Sequence, residues 1–261
     1  MNKNDLLNYR HVGNGRESIV FLHGLFGQGK NFTSIASSLA DIATCYLIDL
    51  PNHGRSLWTD RFDYSLFAYH VVSTIQSITD QPITLVGHSM GGKVAMRVAL
   101  DYPDILSRLT VIDIAPTPRL DTSEFAHIIT TLRGVDLISK SRGDIDRLLA
   151  RDFPSDQLRG FLLQNLVYDS YSSRWTWQIN LDLLVNSLEQ LADWPSTDAR
   201  WEGQTLWIVG DQSPLDPLKD KDAMRALFPH VRTMTVKDAK HWVHADAPQV
   251  VSDAIRYMVR V

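Results

Sequence analysis

Ile83-Thr84-Leu85-Val86-Gly87-His88-Ser89-Met90-Gly91-Gly92-Lys93 is the stretch that decides the fold. Its first four residues form a short apolar, β-branched run, the mark of a strand buried on both faces. Residues 92–100 that follow carry helix formers at helical spacing. Between them stands Gly87-His88-Ser89-Met90-Gly91, a G-x-S-x-G pentapeptide. Strand, tight turn and helix in this order make a nucleophile elbow. Glycines flank the serine because so sharp a turn has no room for side chains, and the serine itself is held strained with its hydroxyl exposed.

Outward from this point the same rhythm repeats. Buried-strand runs lie at residues 18–22, 45–48, 83–86, 109–112, 205–209 and 233–236, and helix candidates at 32–39, 66–78, 92–100, 222–228 and 248–259. Strands alternating with helices predict an α/β fold, a mostly parallel sheet covered on both faces. One interval breaks the pattern. Residues 117–195 show no strong strand run, are helical in period, and carry Trp175, Trp177 and Trp194. Their length exceeds a plain crossover, so they are expected to form a helical cap inserted into a core of residues 1–116 and 196–261. Residues 3–12 are expected to add an edge hairpin strand.

Composition narrows the function. The 261 residues hold 44% hydrophobic and 21% charged side chains, which is ordinary globular usage. Lys and Arg number 26 against 30 Asp and Glu, for a net charge of −4, so there is no basic footprint for nucleic acid or an anionic membrane. A single cysteine excludes an intrachain disulfide and a Cys-rich metal site. The N-terminus has no apolar signal-peptide core, and no run of about 20 apolar residues suggests a membrane span. The expectation is a cytoplasmic protein with no metal, no cofactor, no nucleic-acid or membrane partner and no obligate protein partner.

A serine hydroxyl is a weak nucleophile at neutral pH and needs a base, which in turn needs an orienting carboxylate. The base is sought after the last strand run, in Ala239-Lys240-His241-Trp242-Val243-His244-Ala245. His241, at the loop tip, is the better placed of the two histidines, and His244 is the alternative. For the acid, Asp113 sits in Val111-Ile112-Asp113-Ile114, at the carboxyl end of the strand beside the elbow strand. A charge in an apolar run is costly unless paired, and His241 is the expected partner. The loop after residues 205–209 contains Asp211 and Asp216 as alternatives, with Ser213 between them as a candidate fourth member. The backbone N–H groups of Met90, at a helix N-terminus, and of Leu25, in His23-Gly24-Leu25-Phe26-Gly27, are the expected oxyanion donors, with Phe26 as the neighbouring possibility for the second.

These segments, with Pro51-Asn52-His53-Gly54-Arg55-Ser56 and Asp113-Ile114-Ala115-Pro116, resemble the α/β-hydrolase superfamily over nearly the whole chain, and within it the YbfF-type acyl esterases. The resemblance implies the α/β-hydrolase fold and an acyl-enzyme on Ser89. It also implies the acid after the strand that follows the nucleophile helix, with a serine at the commoner acid site; Asp113 and Ser213 match. It implies short- to medium-chain acyl esters and thioesters, including acyl-CoA, as small-molecule substrates. Phe26, Trp175, Trp177 and Trp242 are the expected acyl-binding aromatics. Lys93, Arg119, Arg133, Arg142 and Arg174 are candidates for a phosphate-bearing leaving group, or else solvated surface charge. The alternative is a lyase similar to the SHCHC synthase of menaquinone biosynthesis, which works by proton abstraction and needs an arginine cluster around a carboxylate-rich substrate.

Overall fold

The computed structural model describes residues 6–119 and 121–260. Seven strands form one sheet: β1 (Tyr9–Val12), β2 (Glu17–Leu22), β3 (Ala43–Ile48), β4 (Ile83–His88), β5 (Leu106–Ile112), β8 (Gln204–Gly210) and β9 (Val231–Val236). Their spatial order is β1-β3-β2-β4-β5-β8-β9. Every pairing is parallel except β1 with β3. The edge strand at Tyr9–Val12 is therefore present, but it pairs antiparallel with β3 rather than forming a hairpin with β2. Residues 1–5, part of the stretch expected there, lie outside the described residues.

Helices cover both faces, as buried parallel strands require. On one side α1 (Thr33–Leu39) and α11 (Pro248–Arg260) pack Phe32, Ile35, Leu39, Val251 and Ile255 against Phe21, Val86 and Ile208. On the other, α2 (Tyr64–Ile78), α3 (Met90–Asp101) and α9 (Lys221–Leu227) bury Phe67, Val71, Val94, Val98 and Met224 over Leu85, Leu109 and Trp207. Local chemistry sets the helix ends. Asp63 caps α2 by accepting the Leu66 N–H at 2.8 Å. Chain direction changes at Tyr102 because Pro103 follows. A single helical turn, α10 (Val243–Asp246), leads into α11, which Pro248 opens where its missing N–H costs nothing.

Between β5 and β8 run α4 (Ser123–Gly134), α5 (Arg142–Leu149), α6 (Asp156–Leu163), α7 (Leu181–Asn186) and α8 (Leu188–Ala192). This stretch is not wholly helical. β6 (Leu166–Asp169) and β7 (Arg174–Trp177) form a two-stranded antiparallel ribbon with Asp169 opposite Arg174 and Leu166 opposite Trp177. Each strand has only four positions, β7 alternating exposed and half-buried while β6 runs from buried Leu166 to exposed Tyr168 and Asp169, too short for a period of two to stand out from the helical segments around it. Asp169 makes the turn, accepting the Tyr171 N–H at 2.9 Å and the Ser172 hydroxyl at 2.5 Å. The segment is tied to the sheet's loops by buried polar bonds: Asn165 Nδ2 donates to the Phe26 carbonyl at 2.8 Å, and Gln28 Nε2 to Asn165 Oδ1 at 3.0 Å. Among the described residues no helix is long and apolar enough to cross a membrane.

Candidate active site

Strand register brings the chemistry together. β4 and β5 are neighbours with His88 paired to Ile112, so the next residue of each, Ser89 and Asp113, leaves the sheet at the same edge. Both adopt left-handed backbone, φ 53° in each case, a conformation that strains a side-chain-bearing residue and clusters at functional sites. Their backbones are pinned all the same. Ser89 N–H donates to the Ile112 carbonyl at 3.0 Å and Asp113 N–H to the Ile208 carbonyl at 2.8 Å. The elbow closes only on glycine: a Cβ at Gly87 would lie 2.2 Å from the Gly91 carbonyl oxygen, and one at Gly91 2.4 Å from that of Leu22.

The loop after β9 returns to this edge carrying His241. Its Nε2 lies 3.0 Å from Ser89 Oγ, and its Nδ1 2.8 Å from Asp113 Oδ2. A carboxylate only accepts, so Nδ1 carries the proton and Nε2 is left free to take the serine's. Asp113 is fully buried and compensated by three donors. Besides His241, the Gly210 N–H reaches Oδ1 at 3.0 Å and the Ser213 hydroxyl reaches Oδ2 at 2.5 Å. Such saturation is what offsets the cost of burying a carboxylate. Asp211 and Asp216 lie exposed in the loop beyond β8, outside this relay.

His244 takes no part in it. It is buried, stacked on Phe32 at 4.8 Å and 4.4 Å from the His88 ring, and burial holds its pKa down at about 3. His88, whose role no sequence pattern indicated, is buried as well, and its Nε2–H donates to the backbone carbonyl of His241 at 2.9 Å. Desolvation, reinforced by His244 and His241, keeps it well below the ordinary histidine range. His23 organises its own loop. It bonds the Gly24 carbonyl through Nδ1 at 2.8 Å and accepts the Leu50 N–H at Nε2 at 2.9 Å.

A cavity of about 160 Å³ opens on Ser89 and His241, walled by Leu25, Phe26, Phe125, Phe161 and Trp242. Phe26 and Trp242 thus stand where the sequence suggested, and Met90, first residue of α3, presents an N-terminal amide with no partner in the helix. Trp175 and Trp177 do not line the cavity. They sit on the β6–β7 ribbon against the core, with Trp175 Nε1–H bonded to the Lys140 carbonyl at 2.9 Å. Of the candidate cations only Arg119 reaches the cavity, its guanidinium 4.5 Å over the Phe125 ring. Arg133 pairs with Asp182, Arg142 with the Leu163 carbonyl, and Arg174 is exposed on the ribbon. Lys93 is not solvated at all. It is 2% exposed, and its Nζ donates to the Ala192 and Asp193 carbonyls at 2.8 and 2.7 Å. Burial lowers its pKa to about 8.

Residues 17–248 match the alpha/beta hydrolase fold family. The chain belongs to this family. This α/β-hydrolase is 34% identical over 245 residues to the sn-1-specific diacylglycerol lipase ABHD11 of Mus musculus, an alignment covering 91% of this chain and 79% of that one. It is 29% identical over 239 residues to esterase YbfF of Escherichia coli, covering 91% of each. Among solved structures, a marine microorganism esterase superposes with a TM-score of 0.93 at 32% identity, over 97% of this chain and 98% of that one. The resemblance to YbfF-type esterases and the α/β-hydrolase fold expected from sequence are both found.

Proposed function

We propose that this α/β-hydrolase, an enzyme of the esterase/lipase kind, cleaves carboxylic esters and thioesters of short- to medium-chain acids, acyl-CoA among them, through an acyl-enzyme on Ser89. The observation that carries this is the Ser89–His241–Asp113 relay, with links of 3.0 and 2.8 Å, opening into an apolar cavity. Ser89 Oγ attacks the substrate carbonyl as His241 Nε2 takes its proton. The developing oxyanion is met by the Leu25 and Met90 amides, aided by the N-terminal end of α3. Asp113 stabilises the imidazolium, and Ser213 and Gly210 hold Asp113. His241 then protonates the departing alcohol or thiol and activates the water that frees the acid. A cavity of about 150 Å³ accepts a six-carbon ring, so the observed volume suits acyl groups of about that size. The diacylglycerol lipase relative extends the class to acylglycerols. The lyase alternative needs several arginines at the cavity, and only Arg119 of the four candidates stands there. The one cysteine, Cys45, is free and buried, which accords with the cytoplasmic setting we assign.

The test is turnover of p-nitrophenyl butyrate by the purified protein, with Ser89→Ala as control. The wild type turns over, the variant does not, and a fluorophosphonate adds once, at Ser89. Equal turnover in the variant would discard the mechanism.

A further inference from the structure

Behind the catalytic cavity lies a second one of equal size, about 160 Å³. Leu158, Phe161 and Trp242 face both. Leu158 and Phe161 stand three residues apart on α6, hence on one helix face, and the Phe161 ring centroid is 5.5 Å from that of Trp242. All three side chains are half-buried. A single layer of side chains therefore separates the two spaces.

Their linings differ in charge. The catalytic cavity includes Arg119, Glu124 and Lys240. Beyond the wall the lining holds no Asp, Glu, Lys or Arg. Asn31 has its amide committed there, with Nδ2 donating to Gln164 Oε1 at 2.9 Å and Oδ1 accepting the Gln28 N–H at 2.7 Å. His244, on the far side, is uncharged near neutral pH. Gln157, an exposed neutral amide, is the remaining polar residue, so the space carries no formal charge and suits hydrocarbon over an ionic group.

We propose that this second chamber is the subsite for a linear alkyl chain of the substrate, and that Phe161 and Trp242 form the partition through which the chain passes beyond its first six or so carbons. This rests on the ester-hydrolase reading of the same site. Each chamber holds about six carbons by volume, so the pair together accommodate a chain of about twelve. Every methylene seated beyond the partition raises kcat/KM by about fourfold.

Ala245 lines this chamber and not the catalytic cavity, and is exposed enough to accept a larger side chain. Ala245→Phe fills the chamber and lowers the ratio of kcat/KM for p-nitrophenyl decanoate to that for the butyrate by at least tenfold. Phe161→Ala, which removes the partition, raises the same ratio. If the chain belongs to the alcohol half of the substrate, decyl acetate responds in place of p-nitrophenyl decanoate. Decanoate binding to Ser89→Ala, followed by calorimetry with and without Ala245→Phe, reads the chamber without any chemistry. Chain-length-dependent binding in a protein that turns over no ester would sink the hydrolase reading and leave the subsite standing. Unchanged ester ratios together with unchanged decanoate binding overturn the subsite.

Discussion

Acid should unfold this protein earlier than its core size suggests, because the fold buries histidines that it keeps neutral. His53 and His244 have pKa values pushed by burial from 6.5 to about 3, and His23 and His88 are lowered by the same cause. In the unfolded chain each ring takes a proton as pH falls below about 6.5. In the folded chain His53 and His244 do so only near 3. Between these values the unfolded state binds more protons, so stability is complete above pH 6.5 and drains away as pH falls. Each such ring costs about 1.4 kcal/mol per pH unit, and His53 and His244 together cost about 2.7. Two units of acidification therefore remove about 5 kcal/mol, comparable with the whole of a modest folding free energy. Unfolding is expected between about pH 4 and 5 from these rings alone. The assay is urea unfolding followed by tryptophan fluorescence at half-unit steps from about pH 7 to 5. His244→Gln, which cannot protonate, should lower the slope by about 1.4 kcal/mol per unit. A wild-type stability that is flat over that range, or a variant slope equal to the wild type's, would refute the reasoning.

Three further outcomes are expected. Asp113→Asn lowers kcat for p-nitrophenyl butyrate by about 10²–10⁴, while Asp211→Asn stays within about twofold; the reverse order would move the acid to the β8 loop. Ser213→Ala removes one of the three donors on Asp113 and costs about tenfold in kcat, and no loss would show that the remaining donors suffice. Lys93 sheds its proton near pH 8 when folded but near 10.4 when unfolded. Wild-type stability therefore rises relative to Lys93→Met by about 1.4 kcal/mol per unit as pH climbs from about 8 to 10, and parallel melting curves for the two proteins over that range would contradict it.

The core was legible wherever a strand is buried on both faces, because a continuous β-branched run too short for a helix has little use elsewhere in a globular chain. All six runs became strands, extended by one to three residues where polar ends such as Glu17 and Gln204 pair in the sheet, but β9, expected to be buried on both faces, lies at the sheet edge with only Val236 buried. The β6–β7 ribbon escaped notice since strands of only four residues leave almost no periodic trace. Ser89, His241 and Asp113 could be singled out because each is a costly residue in a position with a chemical use for it. His88 and Lys93 could not. Nothing local separates a histidine that grips a carbonyl 153 positions away from one that packs, or a helix lysine that reaches carbonyls about 100 positions away from one in solvent. The tryptophans of the ribbon misled for a related reason: aromatic content says that a surface is covered, not by what.

The bond from His88 to the His241 carbonyl has a mechanical meaning. Its donor is the immediate chain neighbour of the nucleophile, and its acceptor is the main chain of the base. Base and nucleophile are thus located from a common datum, at one end of β4, although they belong to distant parts of the polypeptide.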